Sequence, residues 1–248
     1  VLMHPNLTSN GELLFGWDSP LRKIDSCSNL VFQIAHSRFH HSIETDTDGN
    51  IWLPSRIFPQ SLPIEKVGSE YEDFGDDSIV KLSSQGDVLF EKSVNQIFIS
   101  NGLEYLLFSV GNRLFNNDPI HLNDIQPVNL DGKFWKKGDV FLSLRHQSMI
   151  ILYRPSTNKI IWKGTGPFFH QHDVDILDDH RISIFNNNSK DFINGDIVDG
   201  HNEVIIYNFE TNQYSSYLKN SLVEHEVKTI TEGLAQILNN SMTSRKSL

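Results

Sequence analysis

"SMIILYRPSTNKIIWKGTG", Ser148–Gly166, is the stretch on which the fold turns. Two runs of aliphatic, β-branched and aromatic residues flank "RPSTN", where Pro and Asn favour a turn, so the segment predicts strand, polar turn, strand. "NEVIIYNFETNQYSSYL" (Asn202–Leu218), "PLRKIDSCSNLVFQIA" (Pro20–Ala35) and "DSIVKLSSQGDVLFEK" (Asp77–Lys92) follow the same plan. Shorter pieces, "LTSNGELLFG", "ETDTDGNIWLPS" and "WKKGDVFLSL", each set a glycine in a polar turn beside an apolar run. The signal is all-β, and it repeats.

Placed in order, the hairpins form units of about four strands at a spacing of roughly 45 to 70 residues, the self-similarity of propeller blades carrying loop insertions. One unit runs from "FHHSIET" to Lys92, the next from "IHLNDIQPV" to Gly166, and a third from "HQHDVDIL" to Leu218. About four blades and part of a fifth are expected, as a single β-propeller domain over residues 1–248 that is incomplete at both ends. "EGLAQIL" (Glu232–Leu238) reads as the opening of a further unit before the polar "NNSMTSRKSL". "NQIFISNGLEYLLFS" (Asn95–Ser109) suits a short helix between blades, and "NNNSKDFINGDIVDGHN" (Asn186–Asn202) reads as a polar loop that lines a pocket entrance or binds calcium.

Each unit opens its first strand with a histidine: His41, His121 and His172. The first strand of a propeller blade lies innermost, so these imidazoles are expected to converge on the central channel although they are far apart in sequence. Arg145, ending the second strand in "LSLRHQ", reaches the same mouth and adds a permanent cation with a planar hydrogen-bonding fork. Together they predict an anion pocket. His40 is an alternative to His41. His146 is expected to point away under the period of two, His170 to share the face of His172, and His4, His36, His180, His201 and His225 to lie on the surface.

Bulk properties narrow the partners. The 248 residues are 38% hydrophobic and 21% charged, a composition able to bury a core. A net charge of -10 repels phosphate backbones and acidic lipids, which disfavours nucleic acid and membrane contact and requires a local cationic cluster for any anionic ligand. Cys27 is the only cysteine, so neither an intramolecular disulfide nor a cysteine-based zinc site is available. No phosphate-binding glycine loop opens a helix and no G-x-S-x-G elbow occurs, which disfavours nucleotide-dependent transfer and serine-hydrolase chemistry.

"HLNDI", "LSLRHQSMIILYRPSTNKIIWKGTG" and "QHDVDIL…RISIFNN" resemble, in order and wording, the arylsulfate sulfotransferases, from "FHHSIE" to "TITEGLAQIL". The resemblance implies a six-bladed propeller that moves a sulfo group from a phenolic sulfate ester to a phenol. The carrier is a histidine, with no nucleotide donor (PAPS-independent) and no cofactor or metal. By motif, His172 matches the sulfated histidine, Arg145, His121 and Asn123 match groups that hold sulfuryl oxygens, and His41 matches a further pocket histidine. A periplasmic or otherwise extracytoplasmic location is implied by the resemblance, which is also compatible with a homodimer. Two other functions stay open: a metal-dependent hydrolase built on three histidines with an open position for water, and a non-catalytic propeller binding a ligand or protein on its face. A guanidinium beside a dication would be repelled, so Arg145 weighs against the metal.

Overall fold

A computed structural model of the chain describes residues 3–16, 20–35, 38–67, 74–109 and 116–237. Four four-stranded antiparallel sheets follow one another along it. The first is β1–β4 (Met3–Leu7, Leu13–Gly16, Leu21–Ile24, Leu30–Ile34), and the second is β5–β8 (Glu44–Thr45, Ile51–Arg56, Asp77–Leu82, Val88–Ser93). The third is β9–β12 (Leu122–Pro127, Val140–Leu144, Met149–Arg154, Lys159–Thr165). The fourth joins β13 (His172–Ile176) and β14 (Arg181–Asn186) to β17 (Glu203–Asn208) and β18 (Gln213–Tyr217). Strands run up and down in each sheet, and the units begin and end where the hairpin repeat places them. These sheets are blades of a β-propeller.

The opening stretch shows why its apolar run does not alternate with polar residues. Met149, Ile151 and Tyr153 enter the core between the second and third blades, while Ile150 and Leu152 enter the core between the third and fourth. β11 is thus buried on both faces, each large side chain contributing about 1.5–3 kcal/mol through apolar burial. β12, at the outer edge, alternates exposed and covered positions instead. The turn between them is held by Tyr153, whose hydroxyl meets Asn158 Oδ1 at 3.0 Å with Asn158 in the left-handed region. Tyr207 and Asn212 repeat that contact at 3.1 Å in the fourth blade.

Tight turns elsewhere share a second device: a side-chain oxygen accepts the backbone N–H four residues on. Thr8 to Glu12, Asp25 to Asn29, Asp46 to Asn50 and Ser83 to Asp87 all do so, at 2.8–3.1 Å. The helix expected after the second blade is two short ones, Val94–Ser100, capped by Ser93, and Tyr105–Phe108.

A third repeat joins the blades at their inner strands. Ser42 Oγ accepts the N–H of Ile125 at 3.3 Å, Asp124 Oδ2 that of Val174 at 2.8 Å, and Asp173 Oδ2 that of Ala235 at 2.7 Å. The last of these fixes Ala235 against β13, but no strand forms at residues 232–237, where "EGLAQIL" was expected to open a further unit. The polar loop expected at 186–202 is instead a hairpin, β15–β16 (Ser189–Phe192, Gly195–Val198), let in between β14 and β17. His36 and residues 238–248 lie outside the described residues.

Candidate active site

The segments entering β5, β9 and β13 depart from extended backbone. His41, His121, His170 and Asp173 have φ of 58°, 52°, 47° and 53°, a region non-glycine residues occupy seldom. Around these bends lies a cavity of about 550 Å³ lined by His40, His41, His121, Arg145 and His172, with Arg38, Arg56, Thr231 and Glu232. The convergence expected of His41, His121, His172 and Arg145 is therefore present. The His41 ring centroid is 5.1 Å from that of His121 and 6.0 Å from that of His172.

His172 is 2% exposed, and its tautomer follows from its neighbours. Asn187 directs its amide nitrogen at Glu232 O (2.7 Å), Thr229 O and Thr229 Oγ1 (both 3.2 Å), so its Oδ1 accepts from His172 Nδ1 at 2.7 Å. The proton sits on Nδ1, leaving a lone pair on Nε2, which accepts the Glu232 N–H at 3.2 Å. Burial draws the imidazole pKa down to about 4, against the Asn187 bond, so the ring is neutral at pH 7.

His121 is held from the other side. Its Nδ1 meets Asp118 Oδ2 at 2.7 Å and its Nε2 faces His41 Nε2 at 3.2 Å, a pair that has room for one proton. Burial opposes ionisation of Asp118, yet the hydrogen bond and charge of His121 prevail and hold the carboxyl at about 2. His41 is kept well below the usual imidazole range by burial and the neighbouring histidines. Arg145, just after β10, is 6% exposed and its Nη2 lies 3.4 Å from Asp196 Oδ2 on the inserted hairpin.

These features coincide with the comparisons to known proteins. Residues 4–245 match the family described as Arylsulfotransferase (ASST). The chain belongs to the arylsulfotransferase family. No curated protein matches it in sequence. Among solved structures it is similar to a Bacteroides caccae protein of unknown function, at 13% identity over 87% of this chain and 60% of that one, with a TM-score of 0.51. It is also similar to streptogramin B lyase (13%, 87% and 54%, 0.45) and to the WD40 β-propeller domain of Doa1 (12%, 88% and 54%, 0.47). The chain thus spans about half to three fifths of the length of these structures.

Within this member of the arylsulfotransferase family some positions differ from expectation. Asn123 is buried behind the cavity wall, where its Nδ2 donates to Gln171 O at 2.8 Å. His146 faces the site: Arg145–Gln147 is a 3₁₀ turn, so the strand period does not apply, and the His146 ring lies 4.3 Å from that of His121. His170 does not share an extended face with His172, because its left-handed backbone turns it toward Asp191, 3.6 Å away. His4 is no surface residue. It lies in β1 and meets Glu232 Oε2 at 2.6 Å, the fourth first-strand histidine of the set. "HPNLT" beside "HSIET" carried that signal. Glu232, Arg38 and Arg56 had none, since each depends on a contact between separate segments, whereas Asp118 stands three residues before His121 and was passed over.

Proposed function

We propose that the cavity transfers a sulfo group between phenols without a nucleotide donor, with His172 as the covalent carrier. The observation that carries this is the neutral, tautomer-fixed imidazole of His172 beside the Arg145 guanidinium in one cavity, within an arylsulfotransferase family member. In the first half-reaction the Nε2 lone pair attacks sulfur, the bond from sulfur to the aryl oxygen breaks, and the phenolate leaves with that electron pair. His121, backed by Asp118, delivers a proton to the phenolate. The Glu232 N–H gives way as the nitrogen–sulfur bond forms. Because the Nδ1 proton stays in its bond to Asn187, the sulfated ring is an imidazolium, and in the second half-reaction the oxygen of the incoming phenol attacks sulfur, the nitrogen–sulfur bond breaks and neutral imidazole departs with that electron pair. His121 then takes the proton of the incoming phenol. Arg145 leaves Asp196 to stabilise charge on the sulfuryl oxygens, and His41 fixes the His121 proton. Asn123 acts from behind by holding the Gln171 carbonyl and with it the approach to His172. An extracytoplasmic site of action belongs to the same proposal.

Release of para-nitrophenolate from its sulfate ester in the presence of phenol tests this reading. His172→Asn is expected to abolish release, and a variant that retained the rate would remove His172 from the mechanism. A hydrolytic metal site has two donor groups in its favour, His4, His41 and Glu232, and Asp118, His121 and His146, the donor atoms of each lying within 4.8 Å of one another. Metal analysis of the purified protein separates the two, because a stoichiometric transition metal would favour hydrolysis.

A further inference from the structure

The cavity is larger than a sulfate group requires, and its cationic lining has two ends. Arg145 and His172 form one. At the other, Arg38 and His40 run beside the end of β6, with the His40 N–H bonded to Pro54 O and the Arg56 N–H to Arg38 O, each at 3.2 Å. Arg38 and Arg56 therefore sit side by side on adjacent segments and both line the cavity. Their charges are not equally committed. Arg56 is paired with Asp77 at 3.2 Å and Asp118 at 3.3 Å, two carboxylates that offset much of its charge. Arg38 has no carboxylate partner among the described residues. Its guanidinium instead lies over the Phe58 ring, 4.7 Å from the centroid, which limits its motion without neutralising it. Three of the eight arginines in a chain of net charge -10 thus line one cavity. The path between the two ends is paved with imidazoles: the His40 and His41 centroids are 5.1 Å apart and those of His41 and His172 6.0 Å, a surface suited to an aromatic ring.

We propose that Arg38, steadied by Phe58, binds a second anionic substituent, so that the preferred ring carries a carboxylate or similar anion remote from its sulfate ester. This rests on the sulfo-transfer reading for the Arg145 end. A guanidinium that no carboxylate among the described residues offsets binds such a group through charge-assisted, bidentate hydrogen bonds.

Calorimetric titration of the folded protein with phenyl sulfate, para-carboxyphenyl sulfate and terephthalate tests it. Para-carboxyphenyl sulfate is expected to bind about tenfold tighter than phenyl sulfate. That ratio should collapse toward one in Arg38→Ala and recover in part in Arg38→Lys. Equal affinities in the wild type, or a ratio unchanged in Arg38→Ala, would overturn the second pole. If terephthalate binds with the same dependence on Arg38 while no aryl sulfate transfers its sulfo group, the second pole stands and the transfer reading falls. If aryl sulfates transfer without an Arg38-dependent preference, the reverse holds. If none of the three binds, both fall.

Discussion

At His172 two hydrogen bonds decide which nitrogen can react and in which charge state. Asn187 fixes the proton on Nδ1, and burial keeps the ring neutral down to about pH 4. The sign follows for the reaction: protonation removes the Nε2 lone pair, so the single-turnover rate should hold through pH 6 and fall only as pH drops through about 4. An acid limb near 6.5 would instead indicate a solvated imidazole. The same depressed pKa bears on stability. Between about pH 6.5 and 4 the unfolded chain takes up a proton that folded His172 refuses, so stability present above 6.5 is progressively lost as pH falls, on the order of 3 kcal/mol by pH 4. Chemical denaturation from pH 7 to 4 should show a shallower loss in His172→Asn than in the wild type. In the proposed mechanism Asp118 touches no reacting atom and acts through His121. Asp118→Asn should slow transfer from phenyl sulfate about 10- to 100-fold but transfer from para-nitrophenyl sulfate far less, since the better leaving group needs less proton donation. Equal slowing for both esters would assign Asp118 a purely structural role.

At the scale of elements, the inter-blade contacts do two jobs. Asp124 is 2% exposed and accepts the Val174 N–H, tying β9 to β13 and thereby setting the approach to His172. Asp124→Ala leaves that buried N–H without an acceptor, and the denaturation midpoint should report a loss of about 1–3 kcal/mol, with Asp124→Asn losing less. Thr229–Ala235 is held in the same manner by Asp173 and Asn187. Gly233 is essential to that seating. Its φ is 119°, and a Cβ there would overlap the Phe185 ring. Gly233→Ala should therefore dislodge Glu232 from His172 and His4, lowering transfer more than stability; a loss of stability with transfer intact would contradict this placement. The strands themselves were legible in the sequence because β-branched runs and turn residues alternate at short range. The histidines of the second to fourth units were legible for the same reason, since they open repeated strands. Glu232 was not, because pairing through side chains across blades leaves no periodic trace; Arg38 and Asp118 were not, because each lies on an irregular connection where neither period applies. The misplacement of His146 and His170 had a local cause: a 3₁₀ turn and a left-handed residue interrupt the extended backbone on which the period of two depends.

At the scale of the whole molecule, the second to fourth blades bury both faces of their middle strands, and the proposed chemistry lies where the inner strands meet. The charge distribution is consistent with this proposal: the net charge of -10 discourages nonspecific binding of anions, while three arginines line the cavity that the proposed reaction assigns to them. Sequence repetition revealed the blades and pointed to their common axis. Which residues of later segments reach that axis is a property of the assembled fold. The claim on which the rest depends is that His172 carries the sulfo group. Intact mass of the folded protein, recorded before and after brief exposure to phenyl sulfate with His172→Asn alongside, tests it directly. The account predicts a gain of one sulfo group in the wild type, absent from the variant and discharged by added phenol. An unchanged wild-type mass, or an equal gain in His172→Asn, would contradict it.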